Sequence, residues 1–215
     1  MATTARDRPA EVDFGAPAAP AAPAVPATAR RALLDIARAA LGVATGGLAA
    51  RDFEAFLDRG PEPATHAAVF VTLTESGELR GCVGNLDPHR PIGEAVAAAA
   101  VSAALRDPRF RPVEADELPG LHLDISVLGT PAELADVADF RSGVHGVIVE
   151  RGGCTALLLP EVATDHGWDV EAMLSAACGK AGLAHDAWKD PGTRRRIFAT
   201  TRFGGPAVEE AARAR

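Results

Sequence analysis

The chain has 215 residues, enough for one or two domains with a sizeable core. Hydrophobic residues make up 47% of it, but aromatics only 5% and Tyr none, so the core must be largely Ala, Val and Leu. The net charge of −7 argues against a general nucleic-acid binder, which needs clustered Lys and Arg, and more weakly against attachment to an anionic membrane.

Residues 1–29 form an Ala/Pro-rich stretch, with Pro at about every third position between Ala16 and Pro26. Such spacing blocks both helix and ladder, so the expectation is a disordered, partly polyproline tail. Thr28 can cap a helix over 29–42, whose apolar stripe is Leu33, Leu34, Ile36, Ala37, Ala40 and Leu41. Residues 51–57 suggest a further helical turn, and Gly60-Pro-Glu-Pro63 breaks the chain. Val69-Phe-Val-Thr-Leu-Thr74 alternates like a strand, Glu75-Ser-Gly77 is a short turn, and Glu78–Asn85 is the returning arm. A helix follows over 91–105, with a long Ala run suited to close packing and Pro91 at its first position.

Leu121–Val127 alternates cleanly and is the next strand, with His122, Asp124 and Ser126 on the face opposite the leucines. Residues 131–140 read as loop plus a helical turn. Residues 143–150 and 154–159 form a second hairpin around Arg151-Gly-Gly153, ended by Pro160. A helix over 169–181 carries Val170, Met173, Leu174 and Ala177 and stops at Gly182. Residues 195–203 make a last strand before a polar tail over 205–215. Hairpins separated by helices without regular βαβ alternation predict an α+β fold with a largely antiparallel sheet.

The three cysteines, at 82, 154 and 178, are odd in number and widely spaced, with no Cys-x-x-Cys. They predict reduced thiols in a cytoplasmic protein, with Cys154 and Cys178 as packing residues. No apolar run reaches membrane-spanning length, and the N-terminus lacks a signal-peptide pattern. No His spacing suggests a metal site, and no glycine loop suggests a nucleotide, so neither metal nor cofactor is expected.

The sharpest local feature is Leu79-Arg-Gly-Cys-Val-Gly84. Perfect alternation would put Arg80, Cys82 and Gly84 on one strand face, with guanidinium and thiol about 6.5–7 Å apart. Gly81 and Gly84 would leave room for something to approach the backbone. The stretch resembles the signature of the AMMECR domain family, which includes protein A of the bacterial AmmeMemoRadiSam system. The resemblance continues through Phe70-Val-Thr-Leu73, Asp107-Pro-Arg-Phe110, Ile125-Ser-Val-Leu128, Gly143-Val-His-Gly146, Leu158-Leu-Pro-Glu-Val162, Gly167-Trp-Asp169 and Lys180-Ala-Gly182. It implies one domain over 30–204, in two unequal lobes with a cleft between them. It also implies two partners, a Memo-like protein related to dioxygenases and a radical S-adenosylmethionine enzyme.

Cys82 is either a nucleophile or a small packing residue. Arg80 and Arg109 either bind a substrate anion, with Gly81 and Gly84 beside them, or form structural ion pairs, Arg80 with Glu161 or Asp107. Asp107, before Pro108, is expected to set up an Asx-type turn. His145 is a general base or a hydrogen-bonded structural residue. Glu161, at the turn after Pro160, is an acid, a base or the Arg80 partner. Two functions fit: an enzyme component using Cys82, or a non-catalytic adaptor for the partners or a small anionic metabolite.

Overall fold

The computed structural model describes residues 20–49 and 66–209. The first hairpin forms where alternation and turn chemistry coincide. Strands β1 (Val69–Glu75) and β2 (Glu78–Asn85) are joined through Ser76 and Gly77, with φ of 52° and 88°. Two successive left-handed residues give a turn whose twist matches that of the strands. The pairing is not regular, however. Leu73 opposes Gly81 and Thr74 opposes Leu79, so Arg80 is the extra residue of a bulge. The expected shared face of Arg80 and Cys82 is therefore broken.

Helix α1 (Ala27–Ala44) buries Leu33, Ile36, Ala37, Ala40 and Leu41, spaced as one helical stripe. Its N-cap is Pro26, with no side-chain hydrogen bond, rather than Thr28. Ahead of it, residues 20–26 lie extended against the body: Thr201 Oγ1 donates to the Pro23 carbonyl at 2.5 Å, and Arg30 Nε to the Val25 carbonyl at 2.8 Å. The helical turn expected over 51–57 lies outside the described residues.

Helix α2 (Ile92–Leu105) takes Pro91 as its N-cap, one position before the place expected for it. Its small buried face (Ala95, Ala99, Ala100, Ala103, Ala104) lets it approach the sheet closely. A Cβ on Gly81 would sit inside the contact radius of the Ala103 carbonyl oxygen. The room that Gly81 leaves is thus filled by α2 itself. The same holds at Gly84, where a Cβ would collide with the Phe70 ring and the Val69 carbonyl.

Strands β3 (Leu121–Leu128) and β4 (Ala132–Glu133) are followed by the second hairpin, β5 (His145–Arg151) and β6 (Cys154–Leu158). Its turn residues Gly152 and Gly153 both have positive φ. Pro160 ends the hairpin and also opens a short helix, α3 (Pro160–His166), because a missing N–H costs nothing in a first turn. Helix α4 (Val170–Lys180) starts at Asp169, whose Oδ1 accepts from Ala172 N at 2.9 Å. The last strand, β7, runs longer than expected, Arg194–Pro206. Beyond it Ala207 is buried, and its N–H donates to the Leu121 carbonyl at 2.9 Å.

The sheet is antiparallel throughout, in the order β2-β1-β3-β7-β5-β6, with β4 also on β7. Residues 194–199 of β7 pair with β5, and residues 200–206 pair with β3. The strand is therefore shared by two half-sheets. Helices α1 and α2 cover the outer face of one half, against Val69, Val71, Leu73, Leu123 and Ile125. Helices α3 and α4 cover the outer face of the other, against Val147, Val149 and Ile197. The sheet curls so that its inner faces meet, around Ala68, Leu128, Ile148, Leu157, Leu159 and Phe198, with Phe70 and Leu86 packed alongside. The fold is α+β, with two lobes facing across this inner cluster.

The bulge sends Arg80 into the loop after α2. There its Nε and Nη2 donate to the two Glu117 carboxylate oxygens at 3.1 and 3.3 Å. Nη1 and Nη2 reach the carbonyls of Arg111 and Pro112 at 2.8 and 3.3 Å. Both side chains are largely buried, and the partner is neither Glu161 nor Asp107.

Two stability measurements check these assignments. Gly81→Ala should lower the urea midpoint by the equivalent of roughly 1–3 kcal/mol, the range for overpacking. Gly192→Ala, which meets nothing within 4 Å, should stay near wild type. Arg80→Met should cost about 3 kcal/mol, because it strands a buried carboxylate; the double change Arg80→Met/Glu117→Leu should recover much of that loss.

Candidate functional site

Cys82 reaches the inner face by strand register. It pairs with Thr72 on β1, which pairs with Asp124 on β3, so the three side chains form a row across three strands. Phe70, two residues from Thr72, packs into the cluster between the lobes, which places this row on the inner face. Cys82 is half-buried, and the Thr72 hydroxyl donates to its sulfur at 3.3 Å.

The backbone under the thiol is held by Asp107. Its Oδ1 accepts from Arg109 N at 3.1 Å, the expected Asx-type turn. Its Oδ2 accepts from Cys82 N at 2.9 Å, which ties the outer edge of β2 to the loop after α2. Arg109 closes on the same carboxylate through Nε at 2.9 Å and Nη2 at 2.6 Å. This Arg109 hydrogen bond holds the Asp107 carboxyl well below the usual carboxylate range, although burial opposes it. The Arg109 side chain remains 55% exposed, so one face of its guanidinium is open to solvent beside the site.

A second cation comes from the other lobe. Lys180, the last residue of α4, donates from Nζ to the Leu157 carbonyl on β6 at 3.1 Å. Burial pushes its pKa down; the Cys82 sulfur and Asp107 push it up, and Arg109 pushes it down. The ammonium thus lies in the electrostatic field of the Cys82 group. In the sequence, Lys180-Ala-Gly182 reads only as a family motif and helix stop. The available signal was a Lys at a helix end next to a strand-edge carbonyl, which sequence spacing does not reveal.

Further along the inner face, Arg202 of β7 bridges two carboxylates. It meets Asp124 at 2.8 Å and Glu161, in the first turn of α3, at 3.5 Å. Burial raises the Glu161 pKa, and the charge of Arg202 opposes that shift. His122 lies 3.9 Å from Asp124. The Glu161 partner is therefore Arg202, a residue that strand alternation did not single out.

Of the residues singled out from sequence, Cys82, Arg109 and Glu161 carry side chains toward the inner face or its rim. Arg80 does not; its donors are used by Glu117 and two carbonyls. Gly81 and Gly84 are occupied by protein atoms rather than open to a ligand. His145 is 1% exposed and shares its strand parity with Val147 and Val149, which face α3 and α4. Its Nδ1 accepts from Arg141 N at 3.1 Å, and its ring stands edge-on to Phe140. Burial and the charge of Arg141 lower its pKa, and the ring lies on the outer face, away from Cys82. Cys178 is buried as expected, but Cys154 is exposed at the hairpin tip.

Among the described residues, no group of three or more His, Cys, Asp or Glu side chains is placed to hold a metal ion. Among the same residues no helix is long and apolar enough to cross a membrane.

Comparison with known proteins places this site in context. A protein from Methanothermobacter thermautotrophicus is 49% identical over 132 residues, covering 59% of this chain and 69% of that protein. A Methanosarcina mazei protein is 41% identical over 167 residues, covering 68% of this chain and 83% of its own length. The crystal structure of an uncharacterized Pyrococcus horikoshii protein matches with a TM-score of 0.74 and 34% identity, over 82% of this chain and 92% of that one. The AMMECR1 family model matches residues 34–203, which span both lobes and every inner-face group described above. The chain belongs to the AMMECR1 family.

Proposed function

We propose that this protein is an enzyme component that acts through the Cys82 thiol on a small anionic substrate. We place it in a pathway with a Memo-like protein and a radical S-adenosylmethionine enzyme, the partners that its family resemblance implies. The observation that carries this reading is the environment of the sulfur. A hydroxyl donates to it, a buried carboxylate fixes its backbone, and an open guanidinium stands beside it. A donor on sulfur supports negative charge there, and the thiolate is the nucleophilic form of cysteine. Arg109 offers a planar, permanent cation for a carboxylate or phosphate. Glu161, its carboxyl raised by burial, fits a proton donor or acceptor nearer neutral pH than an ordinary Glu. Three free cysteines accord with a reducing, cytoplasmic setting.

The adaptor reading has one observation in its favour. His145, the imidazole that sequence offered as a base, is sealed on the outer face. Co-purification with the two partner proteins separates the readings. If Cys82→Ser keeps both partners but abolishes product formation in the reconstituted mixture, the enzyme reading stands. If Cys82→Ser leaves product formation intact while Arg109→Ala releases a partner, the adaptor reading replaces it.

The Asp107–Arg109 pair also sets a pH dependence. Asp107 has a depressed folded-state pKa, so its contribution is present above the ordinary carboxylate value of about 4 and is lost as pH falls through the depressed value. Arg109→Met should therefore show its full stability deficit at pH 6. The deficit should shrink only below about pH 4, as urea midpoints measured across the acid range would reveal.

A further inference from the structure

We propose that Lys180, carried in from the opposite lobe, is the proton acceptor and charge partner of Cys82, so that the reactive pair exists only where the two lobes meet. This rests on the reading of Cys82 as a nucleophile, and adds to it a proton acceptor for the thiol itself.

The placement follows from three links. Lys180 Nζ is anchored at 3.1 Å on the carbonyl of Leu157, in β6 at one end of the sheet. The Leu157 side chain belongs to the inner cluster into which Phe70 packs. The Phe70 ring in turn lies over Gly84, two residues along β2 from Cys82, at the other end of the sheet. Curling thus turns the β6 edge, and the ammonium hung on it, toward the inner cluster that Phe70 of β1 enters beside β2. A negative charge at Cys82 or Asp107 favours the charged form of Lys180, and Arg109 opposes it. The groups around the thiol are thus Thr72 from β1, Asp124 of β3 beyond it and held by Arg202 of β7, Asp107 and Arg109 from the loop after α2, and Lys180 from α4. Of these, Asp107 is already saturated by Arg109 and two backbone N–H groups, and Arg109 stays protonated. Lysine alone in this set exchanges a proton readily, and burial favours its neutral form.

The step balances as one proton transfer. The S–H bond of Cys82 breaks and an N–H bond forms on neutral Lys180, leaving a thiolate beside an ammonium. The sulfur lone pair is then free to attack an electrophile, and the ammonium and Arg109 together favour an electrophile that carries negative charge.

The test is alkylation of each cysteine in the folded protein across pH 5–9, read by peptide mass spectrometry, with iodoacetate as the anionic probe and iodoacetamide as the neutral one. Wild-type Cys82 should favour iodoacetate more strongly than exposed Cys154 does. In Lys180→Met the half-rise of the Cys82 rate against pH should move up by about one unit, roughly a tenfold loss of rate on the rising limb. The iodoacetate preference should fall with it, while Lys180→Arg, a permanent cation that cannot take the thiol proton, should hold the preference closer to wild type but not the pH profile. An unchanged profile and unchanged preference in Lys180→Met overturn the proposal. If wild-type Cys82 is inert in the folded protein, the nucleophile reading itself fails, a distinct result. Should Lys180→Met not fold, the reciprocal measurement decides: Cys82→Ala should speed acetylation of Lys180 by acetic anhydride several-fold, because the sulfur no longer favours the ammonium. No change in that rate also overturns the pairing.

Discussion

The structure depends on one strand serving two sheets. Strand β7 gives residues 194–199 to β5 and residues 200–206 to β3, so neither half-sheet is complete without it. Each half has its own helical layer, and the two layers lie on opposite outer sides. What remains for the inner faces is to meet each other, and Phe198 of β7 is fully buried at that meeting point. Gly204 lets the strand pass against the Asp124 carboxylate, where a Cβ would collide with Oδ1. The curl is therefore set by backbone hydrogen bonding and close approach, not by a flexible hinge. Every inner-face contact between the lobes, including Arg202 with Glu161, inherits its geometry from that strand.

The charged groups divide by what surrounds them. Pairs at the rim, such as Arg194 with Glu133 and Arg151 with Asp190, are exposed on both sides and contribute little, since solvent screens them. Asp107 and the Arg80–Glu117 pair are different. They are buried, each is nearly saturated with donors or acceptors, and each ties β2 or its bulge to the loop after α2. Removing one partner of such a group leaves a charge that water cannot reach, which is why these few contacts outweigh the larger number outside. They also explain why β2 is a safe edge strand: the Cys82 N–H that would invite another chain is already bound by Asp107.

Local structure was legible in the sequence wherever a short-range rule decided it. Alternation and turn glycines gave both hairpins, and apolar stripes gave the first, second and last helices. The dual action of Pro160 was missed, because the residue that ends a strand is also a good first residue for a helix. The site was less legible, for a physical reason. Perfect alternation placed Arg80 beside Cys82, yet the bulge is stabilised by Glu117, far along the chain, and no local pattern announces it. The glycines flanking Cys82 correctly signalled close approach, but the approaching atoms are Ala103 and Phe70 rather than a ligand. For His145 strand parity weighs against the general-base alternative: one residue along, at Gly146, the strand faces inward, and at His145 it faces the helices.

Lys180 illustrates how helix length can place a charge. Met173, Leu174, Ala177 and Cys178 fix the buried side of α4. Lys180 lies two residues beyond Cys178, about 200° further round the helix, so its side chain leaves that core. Gly182, with φ of 74°, turns the chain immediately afterwards, and Leu183 N donates back to the Cys178 carbonyl. The helix thus ends where its last side chain can reach across to the Leu157 carbonyl on the sheet edge. A turn more or less of helix would move the ammonium by about 5.4 Å, beyond hydrogen-bond reach of that carbonyl. The apolar stripe of α4 and its glycine stop therefore do more than close one lobe. Together they determine which strand edge receives a cation, one at the end of the sheet opposite β2.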